Sequence, residues 1–258
     1  MSSKTRKFVL TGLMTSLVFV LTFIFPIPVP YTSGYIHLGD SMIYISVIIL
    51  GPFFGAFASG VGSMLADLLG GYVHFAIPTL IIKSTMALVM GLVLSGKTRK
   101  ASIYSTITAL TIWLTFSAGN VIYLKSQINS LGFDALVEKI TGVDANQEAI
   151  NHATGLINNL PLYLSIGLGL LIVILSVIVY LITKRDGNKI FNLKAVIGMS
   201  VAGMCMVMGY FLVESFMYTP IAALLSVPMN MIQFFAGVIA ASLFAPAIQK
   251  ANLTLIKD

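Results

Sequence analysis

Charged residues are scarce in this chain: they make up 9% of its 258 residues, against 57% hydrophobic residues and a mean hydropathy of +0.96. A soluble domain carries roughly 25% charged residues, so this chain lacks the polar side chains that would cover a water-exposed surface. Apolar stretches near 20 residues long recur instead, as a bilayer core about 30 Å thick requires. The composition therefore predicts an all-α integral protein of the cell membrane.

Several kinds of chemistry lack their sequence signature. The single cysteine, Cys205, excludes an internal disulfide. No HExxH or CxxC pattern is present, and His37 and His74 are too isolated to be predicted as metal ligands. A GxxxxGK[ST] motif is also missing, which argues against ATP hydrolysis by this chain. We therefore expect no enzymatic activity, no catalytic residues, no metal and no cofactor.

The basic residues predict the topology of the chain in the membrane. Apolar segments lie at residues 8–25, 41–50, 53–70, 78–95, 102–124, 160–183, 195–217 and 229–248. With a turn at Gly51-Pro52, the basic tracts at 4–7, 97–100, 184–194 and 250–257 share one side of the membrane. The positive-inside rule then predicts about eight spans with both termini cytoplasmic. The basic start resembles a signal peptide, but its apolar run continues to about residue 25, and we interpret it as a retained first helix.

Two connections on the opposite side stand out. Residues 26–40 form a proline-rich loop, and residues 125–158 form the one long polar stretch. The polar stretch is expected to hold a short amphipathic helix that rests on the membrane surface. The proline-rich loop ends at Asp40, where an aspartate is expected to cap the next helix. In the same region Tyr35 and His74 are candidates for lining a pocket.

Two charges, Asp67 and Lys83, interrupt apolar segments that a short link joins as antiparallel neighbours. Asp67 shares a helix face with small residues, at Gly55, Ser59 and Gly62, so it is expected to face protein rather than lipid. A charge within the membrane costs about 2.5–3.5 kcal/mol on insertion scales, and an ion pair lowers that cost. We predict that Asp67 and Lys83 pair. A structural link between two helices and a contact with a ligand both remain open.

The later apolar segments carry a second polar group. Tyr210 and Glu214 lie four residues apart on one helix face, and Glu214 has no basic partner in its own segment. A buried carboxylate without a partner is unfavourable, so a polar ligand or a hydrogen-bonding neighbour is expected beside it. Asn230 and Gln233 share a face of the last segment; membrane amides link helices as well as bind ligands. Together these groups predict a small-molecule pocket under the proline-rich loop.

Three stretches resemble a known family: FPIPVPYTSGYIHLGD (25–40), GPFFGAFASGVGSMLADLLGGYVHFAIPTLIIK (51–83) and GYFLVESFMYTPIAALLSVPMNMIQFFAG (209–237). They are similar to the substrate-binding S-components of energy-coupling factor (ECF) vitamin transporters, in the riboflavin and hydroxymethylpyrimidine group. The resemblance implies a vitamin-binding bundle that works with a transmembrane T-component and two cytoplasmic ATPases. It also implies docking through small residues of the first helix, here Gly12 and Ser16 in place of the family's alanines.

The family usually has six helices, so the resemblance implies that residues 97–194 are an inserted two-helix hairpin within a single membrane domain, between core parts 1–96 and 195–258. The acidic excess of Asp40, Asp67 and Glu214 over Lys83 favours a neutral or amine-bearing heteroaromatic ring. We therefore predict a hydroxymethylpyrimidine-like or pyridoxine-like substrate, with riboflavin as the second candidate. The alternative function is an ion-coupled secondary transporter of a small metabolite, although the chain shows no clear internal symmetry.

Overall fold

The computed structural model describes residues 3–96, 99–184 and 193–251, and these residues are almost entirely helical. In chain order the elements are α1 (Ser3–Phe23), β1 (Ile27–Pro28), β2 (Tyr35–Ile36), α2 (Gly39–Leu50), α3 (Pro52–Gly70), a short 3-10 helix (Val73–Phe75), α4 (Ala76–Ser95), α5 (Arg99–Leu131), α6 (Phe133–Thr141), α7 (Gln147–Lys184), α8 (Leu193–Met217) and α9 (Pro220–Ala251). Each of the eight predicted apolar segments corresponds to a helix or to part of one.

Five helical stretches of the described chain are long and apolar enough to cross a membrane: Lys4–Phe23, Pro52–Gly70, Val73–Ser95, Lys194–Met217 and Pro220–Phe244. The prediction of a multi-span helical membrane protein is therefore confirmed. Helix α2 is different, because its 12 residues are all buried and extend only about 18 Å at 1.5 Å per residue. It forms the centre of the bundle, where it packs against α1, α3, α4 and α9.

The predicted break at Gly51-Pro52 is present. Gly51 has φ 80°, a left-handed conformation that favours glycine, and Pro52 occupies the first turn of α3. The predicted small-residue face of α3 is also confirmed, since Gly55, Ser59 and Gly62 are buried. A Cβ on Gly62 would lie 2.6 Å from the carbonyl oxygen of Thr15, so only glycine lets α1 and α3 pack this closely.

Lys7 and Lys194, from two of the predicted basic tracts, lie at the same end of the bundle. Lys7 of α1 lies over the ring of Phe54 at the start of α3, 4.3 Å from its centroid. Lys194 at the start of α8 donates to the carbonyl oxygen of Gly96, just past α4, at 2.7 Å. Residues 97–98, 185–192 and 252–258, which hold other basic residues of these tracts, lie outside the described residues. The cytoplasmic position of this end stays a prediction.

The polar stretch 125–158 is mostly helical rather than a loop. Helix α5 continues to Leu131 and α7 already begins at Gln147. The predicted amphipathic helix is present between them as α6, whose Leu136 and Val137 are buried. The helices extend this far because the polar side chains occupy their exposed faces while the apolar ones pack together. The division of the chain into a core and an insertion stays a prediction.

Helix α9 begins nine residues before the predicted start of the last segment. Thr219 precedes it, and its hydroxyl accepts a hydrogen bond from the backbone N–H of Ala222 at 3.2 Å. Pro220 occupies the first helical position, where a missing N–H has no consequence. These signals for a helix start lie before Pro228, whereas the predicted segment begins after Pro228.

The proline-rich loop contains a small antiparallel β-hairpin, which was not predicted. Its strands pair Ile27 with Ile36 and Pro28 with Tyr35. The turn between them passes through Tyr31, at φ 69°, and Ser33, at φ 48°. The hydroxyl of Tyr31 lies 3.0 Å from Nδ1 of His152 on α7. The hairpin is thus attached to a distant helix at its tip, and we call the end of the bundle that it covers the hairpin end.

Replacing Tyr31 with phenylalanine should loosen the hairpin, because the ring remains while its hydrogen bond to His152 is lost. Hydrogen–deuterium exchange of the amides in residues 27–36 should become faster, with the amides of α2 unaffected. Tyr163→Phe, on an exposed part of the same α7 helix, is the matched control. Unchanged exchange in Tyr31→Phe would show that the tip contact does not hold the hairpin.

Candidate functional site

A narrow cleft lies at the hairpin end, with an empty volume of about 340 Å³ that includes its opening. The hairpin and the following loop form its roof, and α3, α4, α8 and α9 form its walls. It is lined by Val29, Gly34, Tyr35, His37, Asp67, Phe75, Thr79, Tyr210, Glu214 and Asn230. Five of the eight predicted ligand-binding residues are therefore brought together: Tyr35, Asp67, Tyr210, Glu214 and Asn230.

A buried ion pair lies below the cleft. Nζ of Lys83 on α4 lies 2.5 Å from Oδ1 of Asp40 on α2, and both side chains are fully buried. Gln233 on α9 donates from Nε2 to Oδ2 of the same aspartate at 2.9 Å. Lys83 also contacts the sulfur of Met206 on α8 at 3.0 Å. This network joins four helices at one point and satisfies both oxygens of Asp40.

The predicted pairing of Lys83 with Asp67 is wrong. Lys83 forms its ion pair with Asp40, and no ion pair to Asp67 exists within the described chain. The predicted capping role of Asp40 is wrong as well, because α2 begins after Leu38 without a side-chain cap and Asp40 lies inside its first turn. The physical reason is that α4 packs against α2 as well as α3. Helix α3, although nearer to α4 in sequence, therefore does not supply the ion-pair partner of Lys83.

Asp67 instead contacts the hairpin. Oδ1 of Asp67 accepts a hydrogen bond from the hydroxyl of Tyr35 at 2.6 Å, while Oδ2 meets no donor among the described residues. Burial, followed by the negative charge of Asp67, raises the pKa of Tyr35, so its phenol keeps the proton that it donates. The interaction holds the hairpin over the cleft and leaves one carboxylate oxygen without a partner.

A polar ligand or a hydrogen-bonding neighbour was expected beside Glu214, and the structure shows a neighbour. The hydroxyl of Ser226 on α9 donates to Oε2 of Glu214, and Asn230 donates to the oxygen of Ser226 at 3.4 Å. No basic residue forms an ion pair with Glu214 in the described chain. Ser226 was missed, because the predicted start of the last segment excluded it. On α9 as observed, Ser226, Asn230 and Gln233 follow an i, i+4, i+7 spacing on one face.

Aromatic rings form much of the cleft wall. The ring centroids of Phe75 and Tyr210 lie 6.4 Å apart in an edge-to-face arrangement, and those of Tyr35 and Tyr72 lie 4.2 Å apart. The hydroxyl of Tyr210 is within 3.1 Å of the Thr79 hydroxyl. Flat apolar surfaces beside a few polar atoms are typical of sites for small aromatic molecules. Phe75 and Thr79 carry no distinctive sequence signal, and neither was predicted.

The other predicted residues lie outside the cleft lining. Lys83 and Gln233 are below it, in the buried network. His74 is exposed beside the hairpin end, and its Nε2 lies 3.3 Å from the hydroxyl of Tyr218. Gly12 and Ser16 are exposed on α1, and the residues that line the cleft come from other elements. A further group that sequence reasoning did not assign to the site, His37, lines the cleft.

The residues that the structure describes contain no group of three or more His, Cys, Asp or Glu side chains placed to hold a metal ion. A polar, aromatic cleft under a hairpin, within a multi-span helical bundle, is typical of a small-molecule site in a membrane protein. The chain matches the family described as the ECF-type riboflavin transporter S component over residues 2–168. It belongs to this family, which confirms the resemblance, and it is a multi-pass protein of the plasma membrane.

Other comparisons add little about the site. A curated relative from Pyrococcus woesei, described as an uncharacterized protein in gap 3'region, is 43% identical over 79 residues. That similarity covers 31% of this chain and 53% of the relative, so the chain spans about half the length of the curated relative. No solved structure shows a significant match to the chain.

Replacing Lys83 with methionine should destabilise the protein strongly, because it leaves the buried carboxylate of Asp40 without its cation. Loss of one partner of a buried pair costs about 3–5 kcal/mol, which thermal unfolding in detergent would detect. Adding Asp40→Asn to this variant should restore much of the stability. Adding Asp67→Asn instead is the matched control and should restore little. Equal recovery by both would contradict Asp40 as the specific partner of Lys83.

Proposed function

We propose that this chain is the substrate-binding S-component of an ECF-type importer, which captures a small vitamin or vitamin precursor in the cleft and delivers it inward. The observation that carries the proposal is a pair of buried carboxyl groups, Asp67 and Glu214, that line an aromatic cleft. Neither forms an ion pair within the described chain. A ligand that donates hydrogen bonds to them would compensate their burial.

The charge of the cleft favours one class of ligand. Lys83 forms an ion pair with Asp40 below the cleft, so its positive charge is already compensated. The carboxyl groups that line the cleft, those of Asp67 and Glu214, then disfavour an anionic ligand and favour a neutral or amine-bearing one. Hydrogen bonds to a carboxylate are about twice as strong as neutral ones. An aminopyrimidine or a hydroxymethyl-bearing pyridine supplies such donors on a flat ring, and the aromatic side chains of Phe75 and Tyr35 are part of the cleft lining.

These arguments support a hydroxymethylpyrimidine-like or pyridoxine-like substrate, with riboflavin as the next candidate because the matching family is described as a riboflavin transporter component. Equilibrium binding to the purified chain across these vitamins, with pantothenate as an anionic control, tests the proposal. Tight binding that ignores sodium supports an S-component. Binding that requires sodium or protons would instead support an ion-coupled secondary transporter.

The energy for import would come from other subunits, a transmembrane T-component and two cytoplasmic ATPases. Helix α1 is the proposed docking surface. Gly12 and Ser16 lie one turn apart and are exposed, and a Cβ on Gly12 would meet nothing within 4 Å. Small residues four apart allow close approach of a second helix in the membrane.

Replacing Glu214 with glutamine should weaken vitamin binding by about 10- to 100-fold, since a hydrogen bond to a charged group contributes roughly 1.5–3 kcal/mol. Folding should be largely intact, because glutamine still accepts from Ser226. Isothermal titration calorimetry of the purified chain measures the change, and Glu148→Gln, on an exposed turn of α7, is the control. Unchanged affinity in Glu214→Gln would remove this residue from the site.

Replacing Gly12 with leucine should prevent assembly with the T-component and leave vitamin binding unchanged, because the side chain projects from the exposed face of α1. Co-purification of the complex and calorimetry of the solitary chain separate these effects. Gly119→Leu is the matched control, since a Cβ on this exposed glycine of α5 would also meet nothing within 4 Å. A normal complex with Gly12→Leu would exclude this face of α1 as the docking surface.

A further inference from the structure

His37 is a buried histidine of the cleft lining, only 7% exposed. Its backbone N–H donates to Oε1 of Gln233 at 3.0 Å, which connects the loop to the buried network below. Its ring nitrogen Nδ1 accepts a hydrogen bond from the backbone N–H of Gly39, also at 3.0 Å. These two bonds fix the ring between the end of the hairpin and the start of α2.

The bond from Gly39 determines which ring nitrogen carries the proton. A nitrogen that accepts a hydrogen bond has no hydrogen of its own, so the proton of a neutral imidazole must lie on Nε2. Burial, and then the positive charge of Lys83, lowers the pKa of His37 to about 3, although Asp40 opposes the shift. The ring is therefore neutral at physiological pH, with Nδ1 as an acceptor and Nε2 as a donor.

Several other polar groups around the cleft have at least one protein partner. The ammonium group of Lys83 binds Asp40, and the amide of Asn230 donates to Ser226. The hydroxyl groups of Thr79 and Tyr210 are within hydrogen-bonding distance of each other. The hydrogen bonds of His37 within the described chain use its backbone N–H and Nδ1. His37 lines the cleft, and its Nε2–H takes part in neither of these two hydrogen bonds.

We propose that Nε2–H of His37 donates to an acceptor atom of the ligand, a heteroaromatic ring nitrogen or a carbonyl oxygen, while Asp67 and Glu214 accept from donor groups elsewhere on it. The substrate class is then a heteroaromatic ring that carries an acceptor and separate hydrogen-bond donors. This inference rests on the proposed function and adds a specificity-determining residue to it. It predicts that a ligand without the acceptor binds less tightly.

Two substitutions separate the ligand contact from the structural one. In His37→Asn the side-chain oxygen takes the place of Nδ1 and accepts from Gly39, a bond that asparagine commonly makes two residues along the chain. The Nε2 donor is lost. In His37→Gln the amide N–H₂ lies near the position of Nε2, while the acceptor for Gly39 is lost. Affinity should therefore fall about tenfold or more in His37→Asn and be better retained in His37→Gln. Thermal stability should instead be better retained in His37→Asn than in His37→Gln.

The ligand side of the contact is tested with matched probes. 4-Amino-5-hydroxymethyl-2-methylpyrimidine and pyridoxine are compared with analogues in which C–H replaces a ring nitrogen, by calorimetry at pH 6 and pH 8. The wild-type chain should bind one nitrogen-containing ring at least about tenfold more tightly than its analogue, and His37→Asn should abolish that preference. His37 stays neutral across this range, so a change in the preference between the two pH values would reflect protonation of the ligand ring.

Two results would overturn the inference. A wild-type preference that His37→Asn leaves intact would show that another group contacts the acceptor. Nitrogen-15 NMR of histidine-labelled protein that shows the proton of the neutral His37 ring on Nδ1 would exclude the donor state itself. Failure of the proposed function is distinguishable from both: the wild-type chain would then bind none of the vitamins, whereas the NMR measurement still decides the state of the ring.

Discussion

The ion pair between Lys83 and Asp40 is the interaction on which the rest of the structure depends. Both charges are completely buried within a bundle that lies in the membrane, where neither can reach water without a large rearrangement. Gln233 donates a hydrogen bond to the second carboxylate oxygen of Asp40 and also accepts a hydrogen bond from the backbone N–H of His37. The pair therefore fixes the relative positions of α2, α4, α9 and the loop that follows the hairpin, because each of them contributes a group to one network.

This arrangement explains the chemical character of the cleft above it. Since the charge of Lys83 is compensated by Asp40, the acidic and basic side chains that line the cleft are two carboxyl groups and an imidazole. The hairpin closes the site through two separate contacts, Tyr35 with Asp67 and Tyr31 with His152. The second contact reaches α7, so residues far outside the helices that line the cleft help to hold its roof in place.

Some parts of the fold followed directly from local sequence. The small-residue face of α3 and the turn at Gly51-Pro52 are encoded within a few residues, because helix periodicity and the conformations open to glycine and proline are local properties. The start of α9 was also encoded locally, in Thr219 and Pro220, but Pro228 obscured it and Ser226 was lost from the predicted site. The hairpin had no regular alternation of apolar residues, and its two-residue strands are too short to show one.

The amino-acid sequence by itself determined that this is a helical membrane protein of the S-component family and which helices carry its buried polar groups. Tertiary structure alone decided which of those groups meet. Lys83 had Asp67 on the preceding helix and Asp40 on the one before it, and sequence distance favoured Asp67. The packing of α4 against α2 placed Asp40 at 2.5 Å instead. Electrostatic attraction depends on distance in space, strongly so in a low-dielectric interior, and helix order along the chain does not set that distance.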